Sequence, residues 1–255
     1  MIINVHAGHN PDGKVACGAV GLIKESTEAR AVKKLVIEKL KALGHTVYDC
    51  TCDNGKSQSD VLSKIVAKCN AHKADLDVSI HFNSGANDKS GNGKTTGVEV
   101  LIYDSSKNSP VTEAKNIVNC IAALGFKNRG VKYRPELYVL RKTTAPALLI
   151  ECCFVDDKDD TKLYDSEKMA VAIVKGITGQ TVKASTVNTS QTSSFKVKIK
   201  VDTLNIRAGA GTKYSVLGSV NKNSVYTIIE TSGNWGKLKS GAGWINISSS
   251  YVTKV

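Results

Sequence analysis

Three short segments, far apart in the chain, carry apolar, strand-sized runs up to side chains that bind metals or move protons. They are Ile2-Ile3-Asn4-Val5-His6-Ala7-Gly8-His9, Asp77-Val78-Ser79-Ile80-His81-Phe82-Asn83 and Ala147-Leu148-Leu149-Ile150-Glu151. In an open α/β sheet the ligand site lies beyond the carboxyl ends of the strands. Two histidines and a glutamate delivered there together predict a metal or hydrolytic site. His9 sits in Gly8-His9-Asn10, where the glycine permits a sharp turn over the sheet edge. Glu25 stands immediately before the first predicted helix and can project from the same layer. With His81 they form a His/Glu/His set that leaves a fourth position open, the pattern of catalytic zinc. Glu151 is then a carboxylate beside a metal-bound water, able to take its proton and return it to a leaving amine. Taken singly, each residue has a plainer explanation. A loop histidine is usually solvated, and Glu25 suits the positive end of a helix. The joint placement carries the case. His6 is a rival ligand three residues before His9, although in a strand the two point to opposite faces. Glu28 is a second-choice ligand one helical turn after Glu25, while His45 and His72, among polar residues, read as surface groups.

The elements that must position these groups alternate. Strand 2–6 precedes a helix near 27–43, with Ser26 or Thr27 as N-cap and Gly44 past its end. Its apolar residues Ala29, Val32, Leu35, Val36, Leu40 and Leu43 recur at helical spacing. A strand at 45–48, a helix near 59–71 and the strand ending at His81 follow. Then come a strand at 98–103, a helix near 110–123, the strand ending at Glu151 and a helix near 166–177. This pattern predicts a mixed, twisted α/β sheet with helices on both faces. A Ser/Thr-rich stretch without apolar periodicity, 181–194, reads as a flexible linker. Beyond it, short strand candidates at 195–201, 204–207, 216–220, 224–230, 235–238 and 243–245, separated by Gly-, Asn-, Ser- and Lys-rich turns, predict a small β-barrel. The expected organisation is thus 1–180, linker 181–194, and 195–255.

Composition narrows the function classes. No apolar run approaches the roughly 20 residues needed to span a membrane, which predicts no membrane insertion. Met1-Ile2-Ile3-Asn4 lacks the basic and small-residue flanks of a signal peptide and reads directly as a strand. The seven cysteines are odd in number and include no Cys-x-x-Cys pair, so a disulfide framework is not expected. Cys50 and Cys52 lack partners at zinc-site spacing. The net charge of +12 is uneven: residues 1–180 hold 25 Lys/Arg against 21 Asp/Glu, and residues 181–255 hold 10 against 2. So basic a second segment seeks a polyanion, whether nucleic acid, anionic membrane or anionic wall polymer. Nucleic acid is disfavoured because the basic residues form no dense cluster with a recognisable motif.

The ordered set Gly8-His9, Glu25, Asn70-Ala71-His72-Lys73-Ala74-Asp75 through Ser79-Ile80-His81-Phe82-Asn83, Gly97-Val98-Glu99-Val100 and Pro146 to Glu151 resembles the zinc-dependent N-acetylmuramoyl-L-alanine amidases of the amidase-3 type, over about residues 1–178. The resemblance implies one Zn2+ held by His9, Glu25 and His81, with Glu151 as the catalytic glutamate. It implies peptidoglycan as substrate, cut between N-acetylmuramic acid and L-alanine. Asn83, Lys132 and Arg141 are the substrate-contact candidates, the two cations facing an acidic stem peptide. The chain departs from the family in reading His6-Ala7-Gly8-His9, and in placing Cys152 and Cys153 after the glutamate, as packing residues or a point of oxidation sensitivity. Leu204-Asn205-Ile206-Arg207-Ala208-Gly209-Ala210-Gly211-Thr212-Lys213-Tyr214, with Trp235-Gly236-Lys237-Leu238 and Gly243-Trp244-Ile245, resembles a bacterial SH3 (SH3b) domain. This implies a small all-β SH3-like barrel that binds cell wall, with Tyr214, Trp235 and Trp244 lining a groove unless the tryptophans serve the core. The whole resembles a phage endolysin, made in the bacterial host cytoplasm without a signal peptide and acting on the wall after release. A bacterial autolysin, a zinc peptidase or deacetylase acting on the same polymer, and a non-catalytic wall-binding protein are the alternatives.

Overall fold

Side-chain alternation along three parallel strands sets the arrangement of the first part of the chain. The computed structural model describes residues 1–106, 108–181, 194–212 and 214–255. The chain divides into two compact units, Met1–Ser185 and Thr186–Val255. Residues 182–193 of the expected linker lie outside the described residues.

The first unit runs β1 (Ile2–Ala7), α1 (Glu25–Ala42), β2 (Thr46–Asp49), α2 (Gln58–Asn70), β3 (Leu76–Asn83), β4 (Val98–Ile102), α3 (Val111–Ala122), β5 (Asn128–Tyr133), α4 (Tyr138–Lys142), β6 (Ala147–Phe154), α5 (Lys158–Leu163) and α6 (Ser166–Thr178). Its sheet has the order β2-β1-β3-β6-β4-β5. Strands β2, β1, β3 and β6 are parallel, and β4 reverses against β6 while pairing parallel with β5. This is the mixed sheet that the sequence predicts.

Successive strand residues face opposite sides of a sheet. Ile3, Val5 and Ala7 of β1, Val78, Ile80 and Phe82 of β3, and Leu148, Ile150 and Cys152 of β6 all enter one core with α1, α3 and α6. The alternate residues, His6, Ser79, His81, Leu149 and Glu151 among them, therefore turn to the other face. There α2 and α4 cover only part of the sheet, with Val61, Ile65, Val139, Leu140 and Leu149 as the packing. The chemistry-bearing side chains thus share one face because the apolar ones occupy the other.

Six elements differ from expectation. Helix α1 begins at Glu25 rather than 27, and neither Ser26 nor Thr27 is its cap; the N-cap is Lys24, without a side-chain bond. Glu25 N–H donates instead to Ala19 O at 3.0 Å, so the preceding turn supplies the first acceptor. Strand β5 (Asn-Arg-Gly-Val-Lys-Tyr) and helices α4 and α5 carried too little apolar periodicity to be read from the sequence. Strands β3 and β6 also run two and three residues past His81 and Glu151, to Asn83 and Phe154.

The second unit is entirely antiparallel: β7 (Phe195–Ile199), β8 (Thr203–Arg207), β9 (Val216–Asn221), β10 (Val225–Ser232), β11 (Trp235–Leu238), β12 (Trp244–Asn246) and β13 (Val252–Lys254), in the order β13-β7-β10-β11-β12-β8-β9. Val197, Ile199, Leu204, Ile228, Leu238 and Ile245 form its core. Six of the seven strands match the short runs read from sequence; β13, three residues long, does not.

Near the amino ends of the central strands lies a buried polar pair. Asn4 Nδ2 donates to Asp77 Oδ1 at 2.6 Å, while Asp77 Oδ2 and Asn4 Oδ1 have no partner among the described residues. Burial pushes the Asp77 carboxyl up to about 6. The folded chain then holds a proton that the unfolded chain releases near pH 4, so this residue's contribution to stability is present at low pH and lost as pH rises through about 6. Asp77→Asn can donate to Asn4 Oδ1 and carries no charge. It is expected to raise stability at pH 8 by about 1–3 kcal/mol and to change it little at pH 4. Urea unfolding at both pH values checks this, and a variant less stable at pH 8 contradicts it.

Candidate metal centre

The site begins where β1 ends. Gly8 N–H donates to Ile80 O at 3.0 Å, which keeps the chain against β3 for one residue more. A Cβ at Gly8 would stand 2.0 Å from Cε1 of His81, so only glycine lets the His81 ring lie across the strand here. The next residue, His9, adopts φ 64°, a left-handed conformation unfavourable by about 1 kcal/mol or more outside glycine. That turn removes His9 from strand alternation, so His9 does not stand opposite His6 as strand geometry had implied.

Two side chains hold the turn. Asn10 donates to Val15 O and Gly55 O and accepts from Gly55 N–H. Arg30, on α1, donates from Nη2 to His9 O at 2.9 Å and to Cys52 O at 3.2 Å. Its Nη1 donates to Ser26 O at 3.0 Å, and Asp53 steadies the guanidinium from outside. One guanidinium therefore joins the backbone of the His9 turn to the first turn of α1, which carries Glu25.

Glu25 is 4% exposed. Its Oε1 lies 2.9 Å from His81 Nδ1 and 3.2 Å from His9 Nε2, and accepts from Phe82 N–H at 3.3 Å. Its Oε2 accepts from Ala19 N–H at 2.7 Å. Gly18, at φ 79°, packs against the carboxylate so closely that a Cβ would come within 2.5 Å of Oε2. Burial works to raise the Glu25 pKa, but the bonds to His81 and His9 outweigh it and hold the carboxyl well below its usual range. The two imidazoles meet edge to face, centroids 4.9 Å apart. One donor atom from each of His9, Glu25 and His81 lies within 4.8 Å of the others. Two imidazoles and one fixed carboxylate, converging inside two side-chain-free cradles, fit a small divalent cation with nitrogen and oxygen preference.

Glu151 stands in register with His81 on one side and with Glu99 on the other. Its Oε2 is buried and has no partner among the described residues. Burial first, then the charges of Glu25 and Glu99, push its carboxyl up to about 8 against the pull of Arg134. These groups open on a cavity of about 590 Å³ whose wall includes His9, His81, Asn83, Glu99, Arg129 and Glu151.

The sequence candidates divide accordingly. His9, Glu25, His81, Glu151 and Asn83 come together. Lys132 and Arg141 are exposed and do not line the cavity, while Arg129 and Arg134 do. His6 is 1% exposed, with Nδ1 3.4 Å from Ser79 Oγ, and burial and nearby His81 push its pKa down to about 3; it stays outside the donor cluster as a neutral imidazole. Glu28 accepts from Tyr164 OH at 3.0 Å and points away from the histidines' cluster. Cys152 and Cys153 are buried in the opposite core, their thiols pushed up by burial. Arg30, Glu99 and Arg129 were missed as site residues. The sequence signal for Glu99 was its place in the motif Gly97-Val98-Glu99-Val100, and for Arg129 only its position three residues before the candidate Lys132.

In the second unit, a pocket of about 210 Å³ is lined by Asn205, Arg207, Trp235, Asn246 and Tyr251. Trp235 thus faces a pocket, and Tyr251 joins it unforeseen. Tyr214 is exposed, its carbonyl accepting from Arg207 Nη1 at 2.8 Å, and Trp244 lies beneath the Lys237 ammonium at 5.9 Å. Neither lines that pocket.

Residues 2–180 match the family described as N-acetylmuramoyl-L-alanine amidase, and residues 202–253 match the bacterial SH3 domain. Two uncharacterized proteins of Clostridium perfringens are similar: one is 35% identical over 164 residues, 64% of this chain and 47% of its own length. The other is 33% identical over 245 residues, 90% of this chain and 69% of its own. The endolysin of Bacillus phage SPP1 is 29% identical over 69% of this chain and 62% of its own. The chain thus spans about half the length of one curated relative and about two thirds of the other two. Among solved structures, the catalytic domain of an endolysin targeting Clostridia Difficile superposes with TM-score 0.63 at 28% identity, covering 72% of this chain and 99% of that one.

The Arg30 clamp has a measurable consequence. Arg30→Met frees the His9 turn from α1, and Zn2+ affinity is expected to fall about 10–100-fold, the range for losing an outer-shell support. Competition with a chromophoric chelator measures it; unchanged affinity in a folded variant contradicts the clamp.

Proposed function

The chain belongs to the N-acetylmuramoyl-L-alanine amidase family, and from that premise we propose that it is a zinc-dependent peptidoglycan hydrolase that cuts the amide between N-acetylmuramic acid and L-alanine. The observation that carries this reading is the pairing of a three-donor cluster, His9, Glu25 and His81, with Glu151 on the wall of the adjoining cavity, whose buried Oε2 has no partner among the described residues. One Zn2+ held by the three donors would supply Lewis acidity toward water and carbonyl, and positive charge favouring ionised Glu151.

The chain's own residues do the rest. Glu25, locked by four contacts, stays anionic and aims both imidazoles. Glu151 takes the proton of the attacking water and delivers it to the departing alanine nitrogen, a role for which an unengaged carboxyl with a raised pKa is suited. Asn83, held by Glu99, stands on the cavity wall as a donor toward the substrate. The second unit, basic and carrying an aromatic pocket, would hold the enzyme on an insoluble wall and raise its local concentration. The similarity to endolysins supports a phage lytic enzyme, acting on the wall after release from the cell that makes it. Among the described residues no helix is long and apolar enough to cross a membrane.

On purified walls the protein is expected to free L-alanine amino groups without freeing reducing sugars, and a chelator should abolish this until Zn2+ is restored. Glu151→Gln should keep its zinc and lose about 10²–10⁴-fold in rate. Release of reducing sugar, or an active Glu151→Gln variant, would overturn the proposal.

A further inference from the structure

Within the cavity, one cation is built differently from the rest. The β4–β5 pairing shifts register between Val98 and Val100, so Arg129 and Gly130 together oppose Glu99. Gly130 takes φ 82° in this bulge. A bulge of this kind re-aims a side chain. Here it turns Arg129 onto the cavity wall, where its Nε donates to Glu99 Oε2 at 2.8 Å. Glu99 Oε1 accepts from Asn83 Nδ2 at 3.0 Å, so Glu99 is occupied on both oxygens and is 8% exposed. The guanidinium lies over the Phe154 ring, 5.0 Å from its centroid. Anchored by its Nε and its flat face, Arg129 has no partner for Nη1 or Nη2 among the described residues, and its side chain is one-third exposed, toward the cavity that holds Glu151.

We propose that Arg129 is the specificity-determining residue of this cavity, its free Nη pair receiving a carboxylate carried by the peptide residue that follows the scissile alanine. The inference rests on the amidase reading and narrows it to acidic stem peptides. A guanidinium fork matches a carboxylate with two parallel bonds, and a fork already immobilised loses little further rotamer entropy on binding. The neighbouring Arg134 is a weaker candidate because it is nearly half exposed and paired with the exposed Glu136. Lys132 and Arg141 lie outside the cavity.

The test uses two soluble N-acetylmuramoyl-L-alanyl-D-glutamyl substrates with the γ-carboxyl blocked as an amide in both, one with the α-carboxyl of the second residue free and one with it amidated. The full-length zinc-loaded protein should prefer the acid. Arg129→Gln should reduce the acid-over-amide ratio of kcat/KM at least tenfold, mainly through KM on the acid, with Arg129→Lys recovering part of it. An equal loss on both substrates, or an unchanged ratio, overturns the proposal. If Arg129→Gln does not fold, Glu99→Gln, which unfastens the fork, takes its place: a narrowed ratio supports the proposal and an unchanged one overturns it. Wild-type protein that frees no alanine amino group from either substrate refutes the amidase reading itself.

Discussion

Burying the carboxylate of Glu25 is the constraint around which the first unit is arranged. Removing an ionised carboxylate from water costs several kcal/mol unless hydrogen bonds replace its hydration. Four contacts do so here, and they come from three separate stretches of chain: the turn at Ala19, the turn at His9, and β3, which supplies both His81 and the backbone of Phe82. Each dictates a local peculiarity. Gly8 and Gly18 lack the Cβ that would fill the space needed by His81 and by the carboxylate. The turn before α1 returns to Ala19, so the helix starts on the acid itself and needs no Ser or Thr cap. The left-handed His9 is held by Arg30 and Asn10, which spend nearly all their hydrogen-bonding capacity on backbone of the surrounding turns.

Glu151 is governed by the opposite circumstance. It lies on the same sheet face as His81, yet its Oε2 has no donor among the described residues, and the charges of two other carboxylates, Glu25 and Glu99, act on it. Identical side chains therefore sit at opposite ends of the proton-affinity range, one held down by donors and the other raised by burial and like charge. Environments that push paired carboxyls apart in this way separate a fixed anion from a proton carrier. The division of labour proposed for the site follows from their surroundings, not from residue type.

What the sequence disclosed follows from how far each interaction reaches. The runs before His81 and Glu151 are short-range, β-branched and apolar, and period-two alternation places both groups on one face. His9 was legible because a glycine precedes it. Glu25 was visible as an acid near a helix start, although the N-cap was expected at Ser26 or Thr27, since the acceptor at Ala19 depends on a turn that shows no periodicity. Arg30, Glu99 and Arg129 were opaque because the pairs Arg30–His9, Asn83–Glu99 and Glu99–Arg129 span 21, 16 and 30 residues and are assembled only by the fold. Lys132 and Arg141 illustrate the converse. Charge near a motif does not give direction, and the bulge at Arg129–Gly130 turns the cation three residues before Lys132 into the cavity. His6 was a reasonable rival until burial was known: two residues before Gly8, it is 1% exposed and stays outside the donor cluster of His9, Glu25 and His81.

The location of these groups also constrains what the second unit can contribute. Every donor, carboxylate and cation named at the cavity lies between residues 9 and 151, on or beside β1, α1, β3, β4, β5 and β6 of the first unit. A wall-binding role for residues 195–255 therefore requires no catalytic group from that unit. Its excess of seven positive charges, 9 Lys/Arg against 2 Asp/Glu over residues 195–255, favours approach to an anionic polymer through long-range attraction that weakens with salt. On the proposed reading the Trp235 and Tyr251 pocket would supply short-range contact that salt screens far less. The two kinds of force would then belong to one unit and the bond-breaking groups to the other, so that retention on a wall and hydrolysis would be separable: salt that loosens the first would leave the electrostatics around Glu25 and Glu151 nearly untouched.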